Sequence, residues 1–217
     1  SYVALSPHPE IAPWRALWGR CLMAADEVRC FSASTRELLL RAYPSLAPER
    51  LTVVPHKVDY VPARLPRFDP RAPLTIGIVG EISIQKGALI VQEMLVLIER
   101  DHPDVRVVVI GTLDLANPSQ RLHVTGRYRQ SELADLAESH GVNMFFFPSI
   151  WPETFSYVVA EMAALGLPIV AFALGAPMER LRAYPMSRLV REVSAAAALE
   201  TLVGFHRELA AAEASAA

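Results

Sequence analysis

The chain has 217 residues, 52% of them apolar and 20% charged, with a net charge of -2. That length allows one large domain, or one domain with part of another, and the apolar share supports a substantial core rather than a disordered body. The charge balance, without a basic run or basic residues interleaved with aromatics, excludes a protein whose main partner is nucleic acid.

In chain order, Ser1 to Leu5 lacks an initiator Met, and the expectation is a piece of a longer protein. Pro7, Pro9 and Pro13 lead into an apolar-rich stretch, Trp14 to Ala25, predicted to be helical. Val28 to Ser32 reads as a short strand, Thr35 to Arg41 as a helix broken by Pro44, and Leu51 to Val54 as another strand. Residues 62–73 hold four prolines among charged residues, the composition of a linker.

From Leu74 onward the pattern is strand, loop, helix, repeated. Leu74 to Val79 is a strand ending at Gly80. Gly87 to Glu99 is a helix with Val91, Met94, Leu95 and Ile98 on one side. Val105 to Ile110 is as continuously apolar as a strand buried on both faces should be. Leu122 to Thr125 is a short strand, Ser131 to Ser139 a helix ended by Gly141, and Met144 to Phe147 the next strand. Ser156 to Leu165 is a helix stopped by Gly166. Ile169 to Phe172 is a strand, and Ala195 to Ala214 an alanine-rich helix. This alternation predicts an α/β fold with a parallel sheet and helices on both faces. Ligands of such sheets lie beyond the carboxyl ends of the strands. The loops after Val79, Thr125, Phe147 and Phe172 are therefore where candidate residues belong.

The most informative loop runs from Pro148 to Glu161. Glu153 precedes the helix and Glu161 lies on it, with seven residues between them. The N–H groups of Phe155, Ser156 and Tyr157 at the helix start suit an anion such as a diphosphate. A carboxylate accepts two hydrogen bonds, which suits a sugar or ribose diol. A ligand that alternates hydroxyls and phosphates, such as a nucleotide-sugar, satisfies both. The residues alone leave plainer readings open. Glu161 can point to solvent from an amphipathic helix, and Glu153 can be a helix-start acid favoured by the macrodipole. Lys86 can be a solvated lysine, Gly126-Arg127-Tyr128 an ordinary turn, and Glu179 and Arg180 a helix-start acid and a surface base. Gly80 to Gly87 is not a P-loop, because Lys86 precedes Gly87 instead of following a glycine. No GxGxxG follows a strand, so a dinucleotide dehydrogenase is not expected. Ser149 has no positioned histidine, so no nucleophile stands out, and a lone His56 beside Asp59 reads as structural.

The two cysteines, Cys21 and Cys30, form no CxxC pair and read as reduced thiols. The six histidines show no metal-ligand spacing, so no protein-held metal is expected. No apolar run reaches membrane-spanning length and no signal-peptide pattern opens the sequence, so the expected location is cytoplasmic.

Glu153 and Glu161 with their spacing, followed by Ala163-Ala164-Leu165-Gly166-Leu167-Pro168-Ile169-Val170-Ala171, resemble the donor-binding signature of the family-4 retaining glycosyltransferases of the GT-B fold (glycosyltransferase group 1). Ala25-Asp26-Glu27-Val28, Leu51 to His56 and Gly80 to Gly87 extend the resemblance over most of the chain. It implies a Rossmann-like nucleotide-sugar-binding domain over residues 67–217. Residues 1–66 would then be the end of an acceptor domain and the linker, with most of that domain absent. The implied reaction moves a sugar from a nucleotide-diphosphate donor to an acceptor hydroxyl, with retention and without a protein nucleophile. The nucleotide-sugar is a substrate, so no cofactor is implied. By the resemblance, Glu161 takes the ribose, and Glu153 the sugar hydroxyls or the charge near the anomeric centre. Lys86 neutralises the leaving diphosphate, and Phe155, Ser156 and Tyr157 offer their N–H groups to it. Gly80 opens the diphosphate loop, while Arg127 and Tyr128 hold the nucleobase by stacking or by backbone contact. The family commonly has an Arg after the first Gly, where this chain has Glu81; one cation is lost, or another Arg serves. The implied partners are the donor and a glycan or lipid-linked acceptor bound through the missing domain. Contact with a membrane surface stays open, although no basic amphipathic helix supports it. The chain alone is expected to bind donor and turn over little. A nucleotide-sugar epimerase of the same fold, a non-catalytic nucleotide-sugar-binding module and a structural scaffold are the alternatives.

Overall fold

The computed structural model describes residues 11–114 and 119–216, the side chain of 216 excepted. The opening Ser1–Leu5 and the prolines at 7 and 9 lie outside the described residues. The chain divides into two compact units between His56 and Lys57.

In the first unit, helix α1 (Ile11–Ala24) takes Pro13 into its first turn, where the missing N–H costs nothing. Strands β1 (Val28–Cys30) and β2 (Leu51–Val53) pair in parallel around helix α2 (Ala33–Ala42). Ser32 caps α2 by accepting the Thr35 N–H at 3.2 Å. Cys30, Leu46 and Leu51 form a small core. Both cysteines are free, Cys30 buried and Cys21 exposed. His56 stacks on Phe31 with ring centroids 3.8 Å apart.

The second unit is built on six strands: β3 (Thr75–Ile82), β4 (Arg106–Leu113), β5 (Leu122–Val124), β6 (Met144–Phe147), β7 (Ile169–Phe172) and β8 (Ser187–Val190). Their order in the sheet is β5-β4-β3-β6-β7-β8, and every pairing is parallel. Alternation of side chains divides the apolar strand residues between two layers. Ile76, Ile78, Met144 and Phe146 pack with helices α3 (Ala88–Asp101) and α7 (Ala195–Ala216). Val79, Phe145 and Phe147 pack with α4 (Leu133–Ser139), α5 (Tyr157–Ala164) and α6 (Gly175–Arg182). The fold is therefore an α/β layer structure with a parallel sheet between two helical layers. The chain runs outward one way through β3, β4 and β5 and the other way through β6, β7 and β8. The switch falls between β3 and β6, whose carboxyl ends open the crevice used by ligands of such sheets.

Several boundaries differ from the sequence reading. Strand β3 does not stop at Gly80 but continues to Ile82, with Gly80, Glu81 and Ile82 opposite Gly111, Thr112 and Leu113 of β4. The continuation requires glycine on both sides. Gly80 and Gly111 have φ of 110° and 138°, and a Cβ on Gly111 would lie 2.0 Å from the Gly80 carbonyl oxygen. Strand β8 and helix α6 carry little sequence signal. β8 is an edge strand without the continuous apolar run of its neighbours, and α6 starts at a Gly-Ala-Pro sequence that also suits a turn. The expected helix from Ser131 begins as a 3₁₀ turn, Gln130–Glu132, before α4. The alanine-rich α7 is part of the core, burying Ala198, Leu199, Leu202 and Phe205.

Two histidines give the fold a pH dependence. Burial holds His206 below the usual histidine range, against an opposing hydrogen bond to the Ala72 backbone. Its Nε2 is buried without a partner among the described residues. Burial, then the neighbouring His123, lowers His140, the two rings lying 4.5 Å apart. Each folded value is below the unfolded one, so the unfolded chain binds protons first. Stability is fully present above about pH 6.5 and declines as pH falls through the depressed folded values. The expected result is a lower urea midpoint at pH 5.5 than at pH 7.5, with a smaller drop in His206→Phe. Equal drops in both proteins would remove His206 from this account.

Candidate functional site

Two loops meet at the switch point. The first, residues 83–87, turns through hydrogen bonds from Gly87 N to Ile84 O and from Ala88 N to Ser83 O, each 3.0 Å. Gly87 then caps α3 with φ of 90°, and a Cβ there would fall 2.1 Å from the Pro148 carbonyl oxygen. Only glycine allows the two backbones to come this close. The second loop, residues 148–156, is folded on itself. Trp151 N donates to Ser149 Oγ at 3.4 Å, and Glu153 N to Trp151 O at 2.8 Å. The start of α6 holds its far side, since Ala176 N donates to the Glu153 carbonyl at 2.9 Å. Ser149 thus serves loop geometry.

Between these loops lies a cavity of about 220 Å³, lined by Lys86, Glu153, Phe155, Ser156 and Tyr157 over a floor that includes Val79, Ile82 and Phe147. Five of the residues singled out in the sequence are therefore brought to one place. Ser156 is the N-cap of α5, its Oγ accepting the Val159 N–H at 3.4 Å. The first turn of a helix presents N–H groups without intrahelical acceptors, so this end of the cavity favours an anion. The Phe155 ring meets Tyr157 edge-on at 5.0 Å and carries the Arg180 guanidinium 5.1 Å from its centroid. Lys86 is exposed, as a cation poised to take a soluble anion can be. Gly80 lies in β3 rather than in the loop, with Val158 of the cavity wall 3.6 Å from where its Cβ would be. Glu81 is exposed on the same strand end.

Glu161 is 7% exposed, which excludes the reading in which it points to solvent. A buried carboxylate needs a hydrogen bond, and Gln130 supplies one, Nε2 donating to Glu161 Oε1 at 2.6 Å. Sequence reasoning missed Gln130; its only signal was its place at the start of a helix just after Gly126-Arg127-Tyr128. Tyr128 belongs to the same group. Its hydroxyl is pushed up to about 12, first by burial and then by the charge of Glu161 and by Tyr60. Tyr60 was also missed, standing just before the stretch 62–73 that reads as linker. Arg127 is exposed. Among the described residues no group of three or more His, Cys, Asp or Glu could hold a metal ion, and no helix is long and apolar enough to cross a membrane.

The arrangement has three chemical parts. A helix start with a lysine beside it can take an anion. A carboxylate in the same cavity, Glu153, can meet hydroxyls or a developing positive charge. A second carboxylate, buried on the same helix and already accepting a hydrogen bond, can accept hydroxyls in place of an amide.

Comparison with known proteins bears on the family and the fold. The sequence profile of the family "Glycosyl transferases group 1" matches residues 73–204. A comparison with curated protein sequences gives no match. Among solved structures, a glycosyltransferase from Rickettsia africae superimposes with a TM-score of 0.66 at 14% identity, over 94% of this chain and 59% of its own. Anabaena Alr3699/HepE, solved in complex with UDP and glucose, gives 0.68 at 16% identity, over 91% and 58%. The sucrose-phosphate synthase of Thermosynechococcus elongatus gives 0.62 at 21% identity, over 95% and 59%. The chain thus spans a little under three fifths of the length of each of these structures, and at such identities the likeness establishes the shared fold. With the family profile matched over more than half of its residues, the chain belongs to the group 1 glycosyltransferases.

Proposed function

We propose that this chain is the donor-binding part of a retaining glycosyltransferase of the family-4 type, acting on a nucleoside-diphosphate sugar. The observation that carries the reading is the buried Glu161 carboxylate, hydrogen-bonded by an amide and placed on the helix whose N-terminus opens the cavity beside Lys86. In this reading the ribose hydroxyls donate to Glu161. The diphosphate lies against the α5 N-terminus and Lys86, and the nucleobase lies beside Tyr128 and Arg127. Glu153 faces the donor sugar, where it meets hydroxyls or the charge that develops as the diphosphate leaves. Electrostatic stabilisation of that leaving group is the main catalytic device, and the acceptor hydroxyl attacks from the face it vacates. The ligand class is supported by the Anabaena relative, which was solved with UDP and glucose.

Residues 67–217 form the donor domain in this proposal, and residues 1–66 the end of the acceptor domain with its linker. A glycan or lipid-linked acceptor is bound by the rest of that domain, on the cytoplasmic side. The nucleotide-sugar is a substrate, and no cofactor or protein-held metal takes part. Glu81, standing where the family commonly has an arginine, favours binding without transfer as a second reading.

Kinetics of the full-length protein separate the two. Lys86→Ala is expected to lower kcat about 100-fold with little change in KM, because its charge acts mainly on the leaving group. The product anomer, read by NMR, is expected to keep the donor's configuration. An inverted product would contradict the proposed mechanism, and saturable donor binding without any transfer would favour the second reading.

A further inference from the structure

Tyr60 is carried by the segment between the two units' folded elements, yet it is not loosely held. Its ring packs against the apolar layer formed by α4 and α5. Four residues later Arg64 pairs with Asp135 at 2.8 Å and with Glu138, both on α4, which fixes the segment to the donor side. The Tyr60 hydroxyl is nevertheless buried with no hydrogen-bond partner among the described residues. A hydroxyl placed so is costly unless it gains a partner in another state. After burial itself, the charge of Glu161 and then that of Asp135 raise its pKa. Tyr60 and Glu161 interact electrostatically but make no hydrogen bond, and Tyr60 packs against the cluster that contains Val159 and Met162 of the helix carrying Glu161. Glu161 is meanwhile held by Gln130, an exposed residue on a single 3₁₀ turn, whose N–H occupies an oxygen that a ligand hydroxyl would otherwise take.

We propose that Tyr60 is a further donor-binding residue, which shares a ribose hydroxyl with Glu161 when the nucleotide displaces the Gln130 amide. The inference rests on the donor-site reading above. It also makes the segment leading into the domain responsive to donor occupancy, because the residue that meets the ribose is part of that segment.

The test is calorimetric titration of the wild type, Tyr60→Phe and Glu161→Gln with whichever of UDP, GDP, ADP or dTDP the wild type binds, and with its 2′,3′-dideoxy analogue. Melting curves are recorded alongside. Tyr60→Phe removes a hydroxyl that has no partner among the described residues, so its melting temperature is expected to equal or exceed that of the wild type. Its Kd is expected to rise about 5- to 10-fold for the parent nucleotide and less than about 2-fold for the dideoxy analogue. An unchanged Kd in Tyr60→Phe, with binding weakened in Glu161→Gln, would overturn the role of Tyr60 and leave the donor site standing. A penalty that persists in full with the dideoxy analogue would overturn the shared ribose hydroxyl. Failure of the wild type to bind any of the four nucleotides would overturn the donor site itself.

Discussion

Glu161→Ala is expected to weaken binding of the nucleoside diphosphate by about 100-fold or more, the loss of two charge-assisted hydrogen bonds worth roughly 1.5–3 kcal/mol each. Glu161→Gln should lose less, about 10-fold, because its amide keeps one acceptor for a ribose hydroxyl but gives up the charge. The two substitutions also differ in their effect on the fold. Gln130 donates to Glu161 at 2.6 Å, and an amide at 161 still offers it an oxygen. The alanine leaves Gln130 without its partner, but Gln130 is exposed and can turn to water. Both variants should therefore melt close to the wild type while separating clearly in Kd. Matching Kd values in the wild type and both variants would show that the carboxylate serves packing alone.

Gly87→Ala is expected to cost about 3–5 kcal/mol of stability, a drop in melting temperature on the order of 10 °C for a unit of this size. Two effects add. The residue holds φ of 90°, which an alanine adopts only with strain, and its Cβ would lie 2.1 Å from the Pro148 carbonyl oxygen. Neither partner is a flexible side-chain end, so one backbone must move. The movement separates the loop that carries Lys86 from the loop that carries Glu153, so donor affinity should fall together with stability. A Gly87→Ala protein that melts and binds like the wild type would mean that the two loops do not depend on this close approach.

The comparison of sequence with structure follows from where each kind of residue reports. Continuous apolar runs such as Met144–Phe147 and Ile169–Phe172 are central strands buried on both faces, and their bounds were legible to the residue. The edge strand β8 was not, because an edge strand needs no such run. Gly80 looked like the end of a strand because glycine usually punctuates; here it continues the strand by facing Gly111 across a parallel pair, a relation between residues 31 positions apart that no local pattern carries. At the site, Glu153 and the α5 N-terminus were legible because spacing along one loop and helix determines them. The pairing of Glu161 was not, since Gln130 reaches it from a different turn. Tyr60 was hidden for a similar reason, standing just before the proline-rich stretch 62–73 that reads as linker while its side chain packs into the domain.

The central claim, that this crevice binds a nucleoside-diphosphate donor, is tested most directly by titrating the purified protein with UDP, GDP, ADP and dTDP in a calorimeter. The account predicts saturable binding at one site, selective for one base, and strengthened when the corresponding sugar conjugate is used. Heats indistinguishable from dilution for all four nucleotides and their sugar conjugates would contradict it.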